Sequence, residues 1–162
     1  MIILGIDPGS RVTGYGIIQE KHQHLIYLDS GCIRTSVSNL GQKLLEIFNG
    51  ITQLMQMHTP HEIAVEQVFM HQNPNSALKL GHARGAAMVA VAQYQSKIYE
   101  YSARTIKQAV VGSGSADKNQ VKHMVITLLK LNRDPQNDAA DALAVAICHS
   151  HSRKINLLNA RL

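Results

Sequence analysis

The sequence contains little of what several protein classes require. Its two cysteines, Cys32 and Cys148, stand far apart and form no CxxC pair. That excludes a disulfide framework and a thiolate metal knuckle, and it suits reduced thiols in a cytoplasmic protein. No H-E-x-x-H motif occurs, so a zinc-peptidase centre is not expected. No apolar run approaches the ~20 residues of a membrane span, and the N-terminus lacks the basic region of a signal peptide. Repeats and low-complexity segments are missing. At 162 residues, 45% of them hydrophobic and 17% charged, the chain is too apolar for disorder. It is also too short for two large domains clasping a ligand. The expected organisation is one domain over residues 1–150 and a flexible polar tail over 151–162.

The net charge of +5 conceals an asymmetry. Residues 78–133 hold nine Lys and Arg but only Glu100 and Asp117 as acids. A basic field this local suits a polyanion, foremost nucleic acid.

Periodicity supplies the elements. Ile2–Ile6 is an apolar strand ending at the turn Asp7-Pro8-Gly9-Ser10. Thr13–Ile18 and His24–Thr35 read as two further strands in antiparallel hairpins. From Leu40 the apolar spacing becomes helical and stops before Pro60. His61–Glu66 is a fourth strand, reached by a helical crossover and therefore parallel to the first. Pro74 opens a helix to about Gln95, and Lys97–Tyr101 is a fifth strand. Helices follow at Ala103–Val111, Lys118–Leu131 and Asp138–His149. Gly112-Ser113-Gly114-Ser115-Ala116 reads as a flexible linker. The order implies an α/β fold, a mixed five-stranded sheet with helices on both faces.

Four acids stand out against this pattern. Asp7 and Glu66 end two apolar strands, where an unpartnered carboxylate is costly. Asp138 and Asp141 share a face of an alanine-rich helix that must pack on the sheet. Asp138 alone would read as a helix cap, but Asp141 interrupts an apolar stripe. Four converging carboxylates repel one another unless hard cations bind them, and Mg²⁺ takes oxygen ligands. A two-ion cage of that kind suits in-line displacement at phosphorus. The pairs His22/His24 and His149/His151 read as surface histidines.

With these blocks in view, the sequence resembles the RuvC family of Holliday-junction resolvases, within the RNase H-like fold. The resemblance runs over about residues 2–150. It rests on Gly5-Ile-Asp-Pro-Gly-Ser10 with Thr13-Gly-Tyr-Gly16, Ala64-Val-Glu-Gln-Val-Phe69, Asn75-Ser-Ala-Leu-Lys-Leu80 with Ala83-Arg-Gly85, Ile106-Lys-Gln-Ala-Val110, and Asp138-Ala-Ala-Asp-Ala-Leu-Ala144. It implies a homodimeric, Mg²⁺-dependent endonuclease that nicks two opposing strands of a four-way DNA junction, leaving 5′-phosphate and 3′-hydroxyl ends. Two Mg²⁺ per subunit are implied, with Mn²⁺ as a substitute, and RuvA and RuvB as partners in recombination and repair. By position, Asp7, Glu66, Asp138 and Asp141 match the metal-binding carboxylates, and Lys107 and Lys118 the basic residues at the scissile phosphate. Phe69 matches an aromatic that stacks on an unpaired base. Arg84 and Lys122 are further expected DNA contacts, Arg84 near a two-fold axis formed by the small-residue helix after Pro74. Two alternatives stand beside this reading: an RNA-processing RNase H-like nuclease, and a non-catalytic junction-binding module.

Overall fold

Alternation along the first strand decides where everything else packs. In β1 (Ile2–Asp7), Leu4 and Ile6 point to one face of the sheet and Ile3, Gly5 and Asp7 to the other. The computed structural model describes residues 1–22, 24–67 and 74–159, with side chains as far as residue 153. β1 pairs antiparallel with β2 (Val12–Lys21), which pairs antiparallel with β3 (His24–Arg34) across a bulge at Ile17/Ile18. β4 (Glu62–Glu66) runs parallel to β1, and β5 (Lys97–Tyr101) parallel to β4. The sheet order is β3-β2-β1-β4-β5, so the expected α/β mixed sheet is observed.

Two helices cover the Leu4/Ile6 face. α1 (Leu40–His58) starts at Asn39, whose side chain accepts from the Gln42 amide at 3.1 Å, and ends at Thr59 in a left-handed conformation before Pro60. α2 (Pro74–Ala92) opens with proline at its first position, where no amide donor is lost. Ile47, Ile51, Ala83, Ala87 and Val91 meet Ile6, Ile17, Ile63 and Val65 in this half of the core.

The other face carries α3 (Ala103–Val111), α4 (Lys118–Leu129) and α5 (Asn137–Asn159). In α5, every residue from Ala139 to Cys148 except Asp141 is buried, as fits a helix with sheet on one side and α3 and α4 on the other. Glycine makes this possible. Gly5 and Gly16 are cross-strand partners beneath it. A Cβ on Gly5 would lie 2.7 Å from the Ala146 amide nitrogen, and one on Gly16 2.6 Å from that of Leu143. The helix backbone therefore rests almost directly on the strand backbones.

Three features differ from the sequence reading. The segment after α3 is tied down rather than a flexible linker. Gln108 donates to the Gly112 carbonyl at 2.8 Å and accepts from the Gly114 amide at 3.0 Å, and Gly112 takes a φ of 84° as the helix cap. α5 continues past His149 to Asn159, so the tail expected from residue 151 is helical across most of its length. Its inner side is held: Ser150 is buried and donates to Glu20 at 3.0 Å, and Arg153 pairs with Glu62 at 3.2 Å. Finally, His149 is a core residue, 1% exposed, not a surface histidine. Its Nε2–H donates to Glu62 and its Nδ1 accepts from the Tyr101 hydroxyl, both at 2.8 Å. Burial holds its pKa below the usual range.

Candidate active site

The register brings the acids together. Asp7 ends β1 opposite Gly14, on the face toward α5. Gly5 pairs with Ala64 on β4, so Glu66, two residues on, emerges on the same face at the same end. Gly14 is then what places the helical acids. A Cβ there would overlap the Asp138 carbonyl, so only glycine lets the first turn of α5 sit over the end of β2. Asp141 follows one turn later on the inward side. In the turn after Asp7, the buried Thr13 hydroxyl donates to the Gly9 carbonyl at 3.2 Å and accepts from the Gly9 amide at 3.4 Å. These two bonds fix the exit of β1.

Asp7, Glu66 and Asp141 line a cleft of about 260 Å³, and Lys107 from α3 and Lys118 from α4 form its basic wall. Two surface recesses are larger, but neither holds a pair of facing carboxylates, so chemistry rather than size marks this site. The Asp7 and Glu66 carboxyls face each other closely enough that each shifts the other's titration. Burial, and then the charges of Glu66, Asp141 and Asp138, push the Asp7 carboxyl up to about 8. Glu66 is raised as well, first by burial and then by Asp141. Lys118 lies 3.2 Å from Asp141 and is held protonated by it. The Lys118 side chain is 80% exposed, so the contact is one that water and other ions readily exchange.

The remaining expected residues fall in several places. Asp138 is close enough to raise Asp7 but does not line the cleft. Among the described residues, no three His, Cys, Asp or Glu side chains stand grouped as a metal cluster. Asp7 and Glu66 face each other and Asp141 is turned to Lys118. The donor set suits a hard cation, because every acid in it offers carboxylate oxygen and, among the described residues, no thiol or imidazole lines the cleft. Arg84 Nη2 lies 2.6 Å from Glu100 on β5. Lys122 is turned to Asp134 at 3.0 Å and Asn137 at 3.1 Å, bracing the loop before α5. Phe69 lies outside the described residues. The α4 N-terminus is already capped, since Asp117 accepts from the Gln120 amide and Gln120 reaches back to the Asp117 amide. The cap satisfies the Asp117 and Gln120 amides, two of the donors at this helix start.

Sequence reasoning missed the glycine contacts that set the depth of α5. Their signal was legible as Gly5, Gly14 and Gly16 on adjacent strands, facing a helix with Ala142 and Ala146 four residues apart.

The same fold occurs in known proteins. The model of the family described as "Crossover junction endodeoxyribonuclease RuvC" matches residues 3–149. The chain belongs to the RuvC family. A RuvC protein of Legionella pneumophila is 67% identical over 153 residues, covering 94% of this chain and 88% of the relative. One from Vibrio cholerae is 58% identical over the same shares. Among solved structures, Thermus thermophilus RuvC in complex with a Holliday junction substrate superposes with a TM-score of 0.90 at 30% identity, covering 96% of both chains. The yeast mitochondrial Holliday junction resolvase Ydc2 shares the fold, with a TM-score of 0.66 at 13% identity. The chain is therefore an endonuclease of the RuvC type. No helix among the described residues is long and apolar enough to cross a membrane.

Proposed function

We propose that the protein resolves four-way DNA junctions by hydrolysing one phosphodiester in each of two opposing strands. The cleft joining Asp7, Glu66 and Asp141 with Lys107 and Lys118 carries this reading. It puts clustered negative charge for a metal beside positive charge for a phosphate. Asp7, Glu66, Asp138 and Asp141 would hold Mg²⁺, two ions per subunit with Mn²⁺ as a substitute. Divalent ions bound there supply the charge that activates water and stabilises the leaving 3′ oxygen. Lys107 and Lys118 neutralise the oxygens of the scissile phosphate and its neighbour, and orient the strand across the carboxylates. Lys118 is free to do this because its contact with Asp141 is exposed. Phe69, which follows β4 after Glu66, would stack on an unpaired base beside the cut.

Two opposed nicks need two sites related by a two-fold axis, so the working unit is a homodimer. The small residues on the outer side of α2, Gly81 and Gly85, have open space around them and suit close helix pairing. The protein acts in the cytoplasm, with RuvA and RuvB. The RNA-processing alternative has no comparable support in the family match, and a binding module would not need a buried acid pair.

The test is cleavage of a synthetic junction with a movable core, in Mg²⁺ and in EDTA, beside a linear duplex of the same sequence. Paired, metal-dependent nicks in the junction alone are expected. Equal cutting of junction and duplex, or binding without cutting, would overturn the proposal.

A further inference from the structure

Arg11, four residues past Asp7, also walls a second recess of about 530 Å³ on the opposite, α1/α2 face of the sheet. Lys43 from α1 and Lys79 and His82 from α2 line it with Arg11, over a floor that includes Leu44 and Ile47. No acid lines it among the described residues. Nor does Arg11, Lys43 or Lys79 make an ion pair among them, whereas Arg84, Lys118 and Lys122 each face a carboxylate. The recess begins where α1 and α2 begin, so both helix dipoles add positive potential. Three permanent cations around one recess with no facing acid give it a positive potential that favours an anion. An apolar floor and an open groove suit a long ligand with charged edges rather than a single small anion. The turn from Asp7 to Arg11 connects this groove directly to the catalytic cleft, around one end of β1.

We propose that the α1/α2 groove binds the phosphate backbone of one arm of the same DNA that enters the carboxylate cleft. Arg11, Lys43 and Lys79 then make sequence-independent contacts that clamp the junction on both faces of the sheet. This inference rests on the reading of the protein as a junction nuclease.

The test is the triple variant Arg11→Gln/Lys43→Gln/Lys79→Gln, with Lys79→Gln alone as a milder form. Junction binding is followed by fluorescence anisotropy in EDTA across a range of KCl concentrations, with melting by circular dichroism to check folding and light scattering to check oligomeric state. Each lost phosphate contact reduces the slope of log K against log salt by about 0.9. The triple variant is therefore expected to lose roughly 2–3 units of slope and to bind at least ~10-fold more weakly at low salt. Lys79→Gln should lose roughly one unit. A folded triple variant with wild-type affinity and slope overturns the proposal. So does a change of oligomeric state at unchanged slope, which would assign the groove to a second copy of the chain. If the wild-type protein nicks junctions with metal while the slopes stay equal, only the groove assignment fails. If the wild-type protein neither binds nor nicks junctions, the nuclease reading fails and takes the groove with it.

Discussion

Replacing Asp7 by asparagine is expected to abolish cleavage while making the metal-free protein more stable. The ordinary carboxyl pKa of 3.8 is raised to about 8 in the folded chain, so the native state keeps a proton that the unfolded state releases. The sign follows: below pH 4 both states are protonated and there is no penalty. As pH rises toward 8 the penalty grows, so stability falls with pH over that window. At about 1.4 kcal/mol per unit, holding this proton at pH 7.5 costs at most about 5 kcal/mol. Glu66 competes for the same proton, and relaxation of the crowded carboxyls lowers that figure. An effect of ~1–3 kcal/mol is therefore the reasonable expectation. Asparagine removes the charge, and its amide still donates to Glu66. For a chain of this length each kcal/mol moves the melting temperature by about 2–4 °C, giving a rise of roughly 3–10 °C in EDTA at pH 7.5–8. Divalent cation should raise the wild-type melting temperature and leave the variant nearly unmoved. Junction binding should be equal or tighter, since one repulsive charge has gone. The assay is thermal melting of both proteins between pH 5 and 8, with EDTA or Mg²⁺. A variant that melts at or below wild type in EDTA at pH 8, or that keeps the wild-type slope with pH, would refute the reasoning.

Gly5→Ala should destabilise by ~1–3 kcal/mol, read as a lower urea midpoint, because the new methyl meets the α5 backbone. Gly14→Ala should shift the first turn of α5 and reduce cleavage in a purified, folded variant more than it reduces junction binding. His149→Ala leaves Glu62 and the Tyr101 hydroxyl short of a buried partner and should cost about 1–3 kcal/mol in denaturant unfolding. Because the His149 pKa is lowered from 6.5, the unfolded chain binds the proton first as pH drops below that value. Stability due to this residue should then fall with acidification, and His149→Gln should flatten the fall. Phe69→Ala should lower junction cleavage severalfold with Mn²⁺ affinity unchanged, measured by nicking rate and by titration of the ion.

Much of the fold was legible because its signals are local. Period-two alternation in Ile2–Asp7, the switch to helical spacing at Leu40, and Pro60 and Pro74 as boundaries each depend on a few neighbouring residues. So does the placement of acids at the ends of β1 and β4. The parallel pairing of those strands followed from the helical crossover between them. The misread parts are those where a distant partner overrides a local signal. Gly112–Ala116 has the composition of a linker, yet Gln108 binds it on both sides. The polar run from Ser150 looks solvent-bound, yet Glu20 and Glu62 from β2 and β4 hold it against the sheet. The acids that face Arg84 and Lys122, Glu100 and Asp134, come within reach only in the fold, so these pairings have no local signal.

The sequence by itself singled out the candidates for the chemistry: four carboxylates, two lysines and the strand ends that hold two of the acids. It did so because an acid after an apolar strand or inside an alanine stripe is costly to bury unless it binds a partner. The tertiary structure decided how closely those groups approach, through glycines on β1 and β2 that let α5 rest on bare backbone. It also decided which cations face a carboxylate, as Arg84, Lys118 and Lys122 do. Those are properties of distance between elements far apart in the chain, and distance enters only when the sheet, with its register fixed, is covered by its helices.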